Sequence, residues 1–349
     1  MEKKYKLSYD ILTIIACLMV VFFHMNDVFY SYSDTISWKI SVVERCIVYS
    51  AIPIFFMLSG AKLMTYRNHY STKDYIKKRL LRVGIPFLFW NIIYIIYGIL
   101  MPQVDSFHSV KEFISMLLNS QFQERYWFFF PLFAVYAAIP VVSLLLQVQN
   151  HRKYLWFTVY LSFLLHWVLP PVLGVLGIRF NSDLIMPVCG GYLMYAIFGY
   201  LISTEEWSRT KRIALYVLAL ASGIFAVYYT LRVSQFAGET QLYMVAYDHF
   251  PSALTGAAIF VFIKHLFDKP LQAACLQENS KLVKFIHTLS GTCMGIWLTH
   301  SFGILVVAFL TDISVHSYLW RFVFPPVVFA VCALGTYIAK KIPFIKHVV

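Results

Sequence analysis

Ten times along its 349 residues the sequence turns apolar for about the length a helix needs to cross a bilayer, with short polar connections between. A spanning helix takes about 20 mostly apolar residues, because in hydrocarbon each backbone amide has to be bonded within its own segment. The qualifying stretches are Asp10–Tyr30, Ile40–Met64, Leu80–Leu100, Trp127–Leu146, Tyr154–Leu176, Leu184–Ile202, Ile213–Leu231, His249–Phe267, Leu289–Leu310 and Trp320–Ala339. They predict an all-α, polytopic membrane helix bundle of about ten transmembrane helices. No segment is long and polar enough to form a separate soluble domain, so residues 1–349 read as a single membrane domain. Composition agrees: only 13% of residues are charged, against about 25% in soluble domains, too few to cover a water-facing surface.

Orientation follows from where the charges sit. With the N-terminus in the cytoplasm, 22 of the 29 Lys and Arg residues fall in cytoplasmic segments and 7 on the other side. Every predicted cytoplasmic connection is the richer one, as the positive-inside rule requires. Both termini are therefore expected in the cytoplasm, and the Met101–Arg125 connection outside. A missed or extra helix would scramble this alternation.

The net charge of +12 does not indicate nucleic acid. The basic residues separate apolar stretches and form no run interleaved with aromatics, so the expected partner surface is membrane lipid. The six cysteines are scattered, most of them in apolar runs, with no Cys-x-x-Cys or Cys/His metal spacing; they read as small hydrophobes, and no metal is expected. Lys3, Lys4 and Lys6 precede the first apolar run, but no small-residue cleavage site follows it, so that run reads as a retained helix. Two connections have helical amphipathic spacing. One is Val110, Phe113, Ile114 and Leu117 outside; the other is Leu282, Val283, Phe285 and Ile286 inside, after a Ser280 cap.

Soluble catalytic signatures are absent: no Gly-x-x-x-x-Gly-Lys loop, no Gly-x-Ser-x-Gly elbow, no His-Glu-x-x-His, no His-x4-Asp. Attention moves to polar residues within the apolar runs, which are costly in hydrocarbon and default to functional candidates. His24 lies 14 residues after Asp10, roughly 21 Å along a helix and so nearer the outer face. It reads either as a packing histidine or as a general base, since imidazole titrates near neutral pH. Glu44 enters the second run from outside and reaches a similar depth; it is either an orienting carboxylate for His24 or half of an interfacial pair with Arg45. Arg79 and Arg82 share one helix face at the inner mouth of the third run, and their guanidinium forks suit phosphates, though basic residues there also serve as topology anchors. His300 is the better cavity-lining candidate of the two mid-span histidines, His166 being the other. Tyr126 and Trp127 open the fourth run, as an aromatic belt or as a surface on which a sugar ring stacks.

Several motifs, taken in order, resemble the integral-membrane acyltransferase 3 family. Asp10-Ile11-Leu12, Ile14-Ile15-Ala16 and Val20-Val21-Phe22-Phe23-His24 look like its first helix. Pro53-Ile54-Phe55-Phe56-Met57-Leu58-Ser59-Gly60 looks like its second. Arg79-Leu80-Leu81-Arg82 with Pro86, Phe87 and Trp90 looks like its third. Tyr126-Trp127-Phe128 with Tyr136 and Pro140, and Gly295-Ile296-Trp297-Leu298-Thr299-His300, resemble two later motifs. The matches cover the first 140 residues densely and the last 60 thinly.

The resemblance implies a ten-helix core in a bacterial cytoplasmic membrane and transfer of an acyl group, usually acetyl. The donor would be a cytoplasmic acyl-CoA, used as a substrate with no permanently bound cofactor. The acceptor would be a hydroxyl of a cell-envelope or lipid-linked glycan. It implies His24 as base, with Arg79 and Arg82 on the donor phosphates. The family carries an arginine eleven residues before the histidine, and here that position is Thr13. The departure leaves open altered donor binding, substitution by another basic residue, or loss of activity. The competing expectation is a glycan exporter or small-solute transporter, for which paired broken helices are the signature; no such symmetry is visible in the sequence.

Overall fold

A computed structural model describes residues 6–101, 109–184, 186, 188–268 and 280–349. Helix α1 (Leu7–His24) ends at His24, and the chain passes through a 3-10 turn, Asp27–Tyr30, into α2 (Ile36–Val48) and α3 (Ala51–Leu63). Next come α4 (Thr72–Arg79), a π-helical turn over Leu80–Gly84, and α5 (Ile85–Leu100). A short α6 (Val110–Leu118) leads to α7 (Phe129–Val142), α8 (His151–Ser162) and, after a second π-turn at Phe163–Val168, α9 (Leu169–Val175). The second half comprises α10 (Leu193–Thr204), α11 (Arg209–Ala237), α12 (Phe250–Phe267), α13 (Lys281–Leu310) and α14 (Phe324–Ala339), the last preceded by a π-turn at Leu319–Val323.

Several helix starts are written locally. The side chains of Thr35, Ser71, Ser109, Ser208 and Ser280 accept from backbone amides in the first turns of α2, α4, α6, α11 and α13, satisfying donors that have no intrahelical partner. Among the described residues, nine helical stretches are long and apolar enough to cross a membrane. Their outer faces carry bare Ile, Leu and Val, such as Ile92 and Ile96 on α5 and Val217, Leu220 and Ile224 on α11, as contact with lipid demands.

The sixth predicted span is the exception. It was expected over Leu184–Ile202, but α10 has 12 residues, about 18 Å of helix against a hydrocarbon core of ~30 Å. Cys189 and Gly191 just before it have positive φ, 76° and 58°, which ends any helix there. Most of α10 is buried, from Met194 to Ser203 with Phe198 half-buried, whereas Leu184, Val188 and Gly191 ahead of it stay exposed. A second difference concerns Leu282–Ile286. Ser280 caps as expected, but these residues are the opening turns of the 30-residue α13 and form no separate interfacial helix.

The core is assembled around α1, which packs against α3, α12, α13 and α14. Asp10 near its start accepts from Ser290 of α13 at 2.8 Å and pairs with His287 at 2.8 Å, tying the two helices. The closest crossing is α3 on α10. A Cβ placed on Gly60 would lie 1.7 Å from the Ala196 carbonyl oxygen, and one on Gly199 would lie 2.1 Å from that of Met57. Small residues let backbones approach this closely in membrane bundles.

Candidate active site

His24 is the last residue of α1. Its ring stands 5.1 Å from that of His300, the planes inclined at 31°. The α13 side of this contact is braced by two tyrosines. Tyr126 and Tyr94 both donate to the Leu298 carbonyl of α13, at 2.8 and 3.2 Å. The His300 Nδ1 lies 2.7 Å from the Trp297 carbonyl. A carbonyl only accepts, so Nδ1 carries the proton and Nε2 presents a lone pair. That Nε2 is buried and has no hydrogen-bond partner. His24 itself makes no side-chain hydrogen bond among the described residues. Its imidazole lines a narrow crevice, with room for little more than one water, shared with Phe23, Arg125, Trp127, Tyr247, Trp297 and four aliphatic residues.

Arg125 enters from the turn before α7, its guanidinium donating to Ser301 at 2.8 Å, and lines the crevice beside the histidine. Trp127 stacks on Tyr247, with centroids 5.1 Å apart and planes 27° apart, and Tyr247 stacks in turn on Tyr49 at 4.4 Å. The aromatic surface expected from Trp127 is therefore a stack of three rings. Tyr126 does not share it. Fully buried, with its hydroxyl on Leu298, it braces α13 rather than facing the cavity.

Glu44 is likewise elsewhere. Its carboxylate accepts from the fully buried Arg321 at 3.2 Å, and Arg321 also donates to Ser37. It pairs neither with His24 nor with Arg45, the two partners the sequence offered. Glu44 and Arg321 instead clamp α2 to the π-turn that opens α14. The neighbour Arg45 does hold the end of α1: it donates to the Phe23 carbonyl at 2.7 Å and to the Tyr30 hydroxyl, and its guanidinium lies 3.7 Å above the Phe23 ring. His166 is a packing residue, accepting from the Met186 amide at 3.0 Å.

A second cavity, about 870 Å³, opens where α1 begins. Thr13, Lys62, Lys78, Arg79, Arg82 and Tyr136 line it, and among the described residues no carboxylate does. Arg79 and Arg82 share it as expected, Arg79 as the last residue of α4 and Arg82 within the π-turn at Leu80–Gly84; such bulges commonly mark functional positions. The Arg79 Nε is buried without a hydrogen-bond partner, a state that favours an anionic ligand over an empty pocket. Lys62 reaches Thr13, Nζ to Oγ1 at 3.3 Å. Thr13 and His24 are eleven residues apart on α1, about 16 Å along its axis. Between the two cavities stand Phe55, which lines the cationic one, and Trp297, which lines the other. Their rings meet edge to face at 5.2 Å and 88°.

Sequence reasoning missed Arg125, Tyr247 and Lys62. Arg125 and Lys62 were counted as topology charges, and Tyr247 sits in a connection with no periodic signal. Only the spatial closure of the bundle brings them to α1.

Neither a curated protein nor a solved structure matches the chain. The acyltransferase 3 family model, described as an acyltransferase domain, matches residues 6–340. That span takes in both cavities, the helix that joins them and all but the last few residues of the bundle, so the chain belongs to the acyltransferase 3 family and is a membrane acyltransferase.

Proposed function

We propose that this acyltransferase moves an acyl group, typically acetyl, from cytoplasmic acyl-CoA to a hydroxyl of a cell-envelope or lipid-linked glycan, in a bacterial cytoplasmic membrane. The observation that carries the reading is the pairing of unlike cavities at the two ends of α1. One holds four cations and, among the described residues, no acid; the other is lined by His24, which His300 backs, with one arginine and the Trp127 and Tyr247 rings. The charge asymmetry of the connections assigns the cationic end to the cytoplasm.

In this reading Arg79 and Arg82 hold the phosphates of the donor, and its pantetheine arm extends along α1 toward His24. The acceptor sugar stacks on Trp127 and Tyr247. His24 takes the proton of the acceptor hydroxyl while the oxygen attacks the thioester carbonyl. A C–O bond forms, and negative charge develops on the carbonyl oxygen, where Arg125 stabilises it. The C–S bond then breaks, and the imidazolium returns the proton to the CoA sulfur. The products are an ester and free CoA thiol. His300, presenting Nε2 as an acceptor, aligns the incoming hydroxyl. Positioning of the two substrates from opposite sides converts a bimolecular encounter into an intramolecular one.

The test is direct. Purified protein in detergent, given radiolabelled acetyl-CoA and membrane glycan, should transfer label to glycan as an alkali-labile ester. Transport of glycan into vesicles with no label transferred would replace this reading with an exporter.

A further inference from the structure

Thr13 and Lys62 raise a question the proposed donor site does not answer: why a lysine from α3 turns toward a threonine of α1 inside a cavity already bearing three cations. Among the described residues no carboxylate lines that space, and the buried Arg79 Nε has no hydrogen-bond partner, so the cavity suits an anion with several negative charges. The Thr13 hydroxyl donates to the Tyr9 carbonyl at 2.6 Å, so its proton is committed and a lone pair is left for the Lys62 ammonium at 3.3 Å. That bond fixes the direction of an otherwise flexible side chain. Its base is fixed too, because Lys62 lies two residues beyond Gly60, where α3 and α10 meet backbone to backbone. Arg79 and Arg82 approach the same space from α4 and the turn after it. The cations therefore face one another across the cavity.

We propose that Lys62 binds a phosphate group of the donor, with Thr13 as its positioning residue. This rests on the acyl-CoA reading above. The position at which the resemblance led to an arginine on α1 holds a hydroxyl here, and the charge is delivered from α3 instead. A lysine near a cytoplasmic helix end also suits lipid headgroups, and the experiment separates the two.

Calorimetric titration of CoA into the full-length protein in detergent reads the effect. Lys62→Gln should weaken CoA binding about tenfold or more, as expected for loss of one charge-assisted contact. Lys62→Arg should keep affinity within about threefold, since the charge remains. Adding Thr13→Arg to Lys62→Gln should recover affinity, because the charge returns from α1. Thr13→Val, which changes no charge, should weaken binding several-fold by releasing Lys62. If wild-type protein does not bind CoA at all, the donor reading falls and Lys62 with it. If wild-type binds, the Arg79→Gln/Arg82→Gln protein does not, and both Lys62→Gln and Thr13→Val bind normally, the donor reading stands. Lys62 is then a lipid-facing charge.

Discussion

The imidazoles of His24 and His300 lie 5.1 Å apart, centroid to centroid, on helices whose chain positions differ by 276 residues. The proton on His300 is held at Nδ1 by the Trp297 carbonyl, whereas no side-chain bond among the described residues holds His24. One ring is fixed by a hydrogen bond; the other is the one that, in the proposed reaction, takes and returns the proton. This asymmetry is what distinguishes a base from an aligning group.

The same asymmetry predicts that His24→Asn abolishes transfer. General-base catalysis contributes about 10²–10⁴-fold, and asparagine keeps a hydrogen-bonding group without accepting a proton at neutral pH. CoA affinity and protein abundance should stay near wild type. Transfer of radiolabelled acetyl to glycan at the wild-type rate would make His24 a packing residue.

The paired guanidinium groups predict a loss of a different kind. Replacing Arg79 and Arg82 together by Gln removes two charge-assisted contacts, each worth roughly 1.5–3 kcal/mol. CoA affinity should fall by at least two orders of magnitude, while a substrate-independent property, thermal unfolding in detergent, changes little. An unchanged dissociation constant would leave the pair as topology anchors.

Glu44 and Arg321 are assigned to stability. Breaking one side of a buried ion pair leaves an uncompensated charge, at a cost of about 3–5 kcal/mol. Arg321→Met should sharply lower the yield of folded protein. Glu44→Gln, which keeps an acceptor for the guanidinium, should turn over normally per folded molecule. A Glu44→Gln protein that is fully folded yet inactive would return Glu44 to the chemistry.

Gly60 supplies a test of the crossing between α3 and α10. The methyl of Gly60→Ala would fall on the Ala196 carbonyl, backbone that has no rotamer to change. Overpacking typically costs about 1–3 kcal/mol, and the upper end or beyond applies here. Reduced thermal stability should be accompanied by loss of CoA binding, because Lys62 rides on the same turn.

Topology is open to chemistry on intact cells. Lys111 is exposed on α6, in the connection the charge count assigns outside. A Lys111→Cys protein lacking other accessible thiols should react with a membrane-impermeant maleimide without permeabilisation. Labelling only after permeabilisation would invert the bundle.

The spans were legible because hydrocarbon imposes one simple requirement, a run of apolar residues of fixed length, and each run meets it locally. Where the backbone turns inside such a run, legibility stops: α10 is half-length because Cys189 and Gly191 take positive φ just before it, and a cysteine in an apolar run does not announce that. His24, Arg79 and Arg82 were legible as costly polar groups at defined depths. Glu44 was misread because two elements of similar depth can face different neighbours, and depth along a helix says nothing of azimuth. Arg125 and Lys62 look in sequence like any other charge near the end of a span; only the fold brings them to the two cavities.

The edge-to-face contact of Phe55 and Trp297 bears on the cell as well as on the reaction. A wide cationic cavity on one side and the narrow, mostly apolar crevice beside His24 on the other, if joined, would be a pore. The two rings are then insulation: with no donor in place they keep protons and salt from running down their gradients through an enzyme whose chemistry requires a passage. A donor arm threading between them would plug the opening it makes, so that the membrane is breached only by the molecule that seals it. Trimming either ring would be expected to show first as a leak, in cells whose ion gradients fail before any change in acyl transfer is noticed.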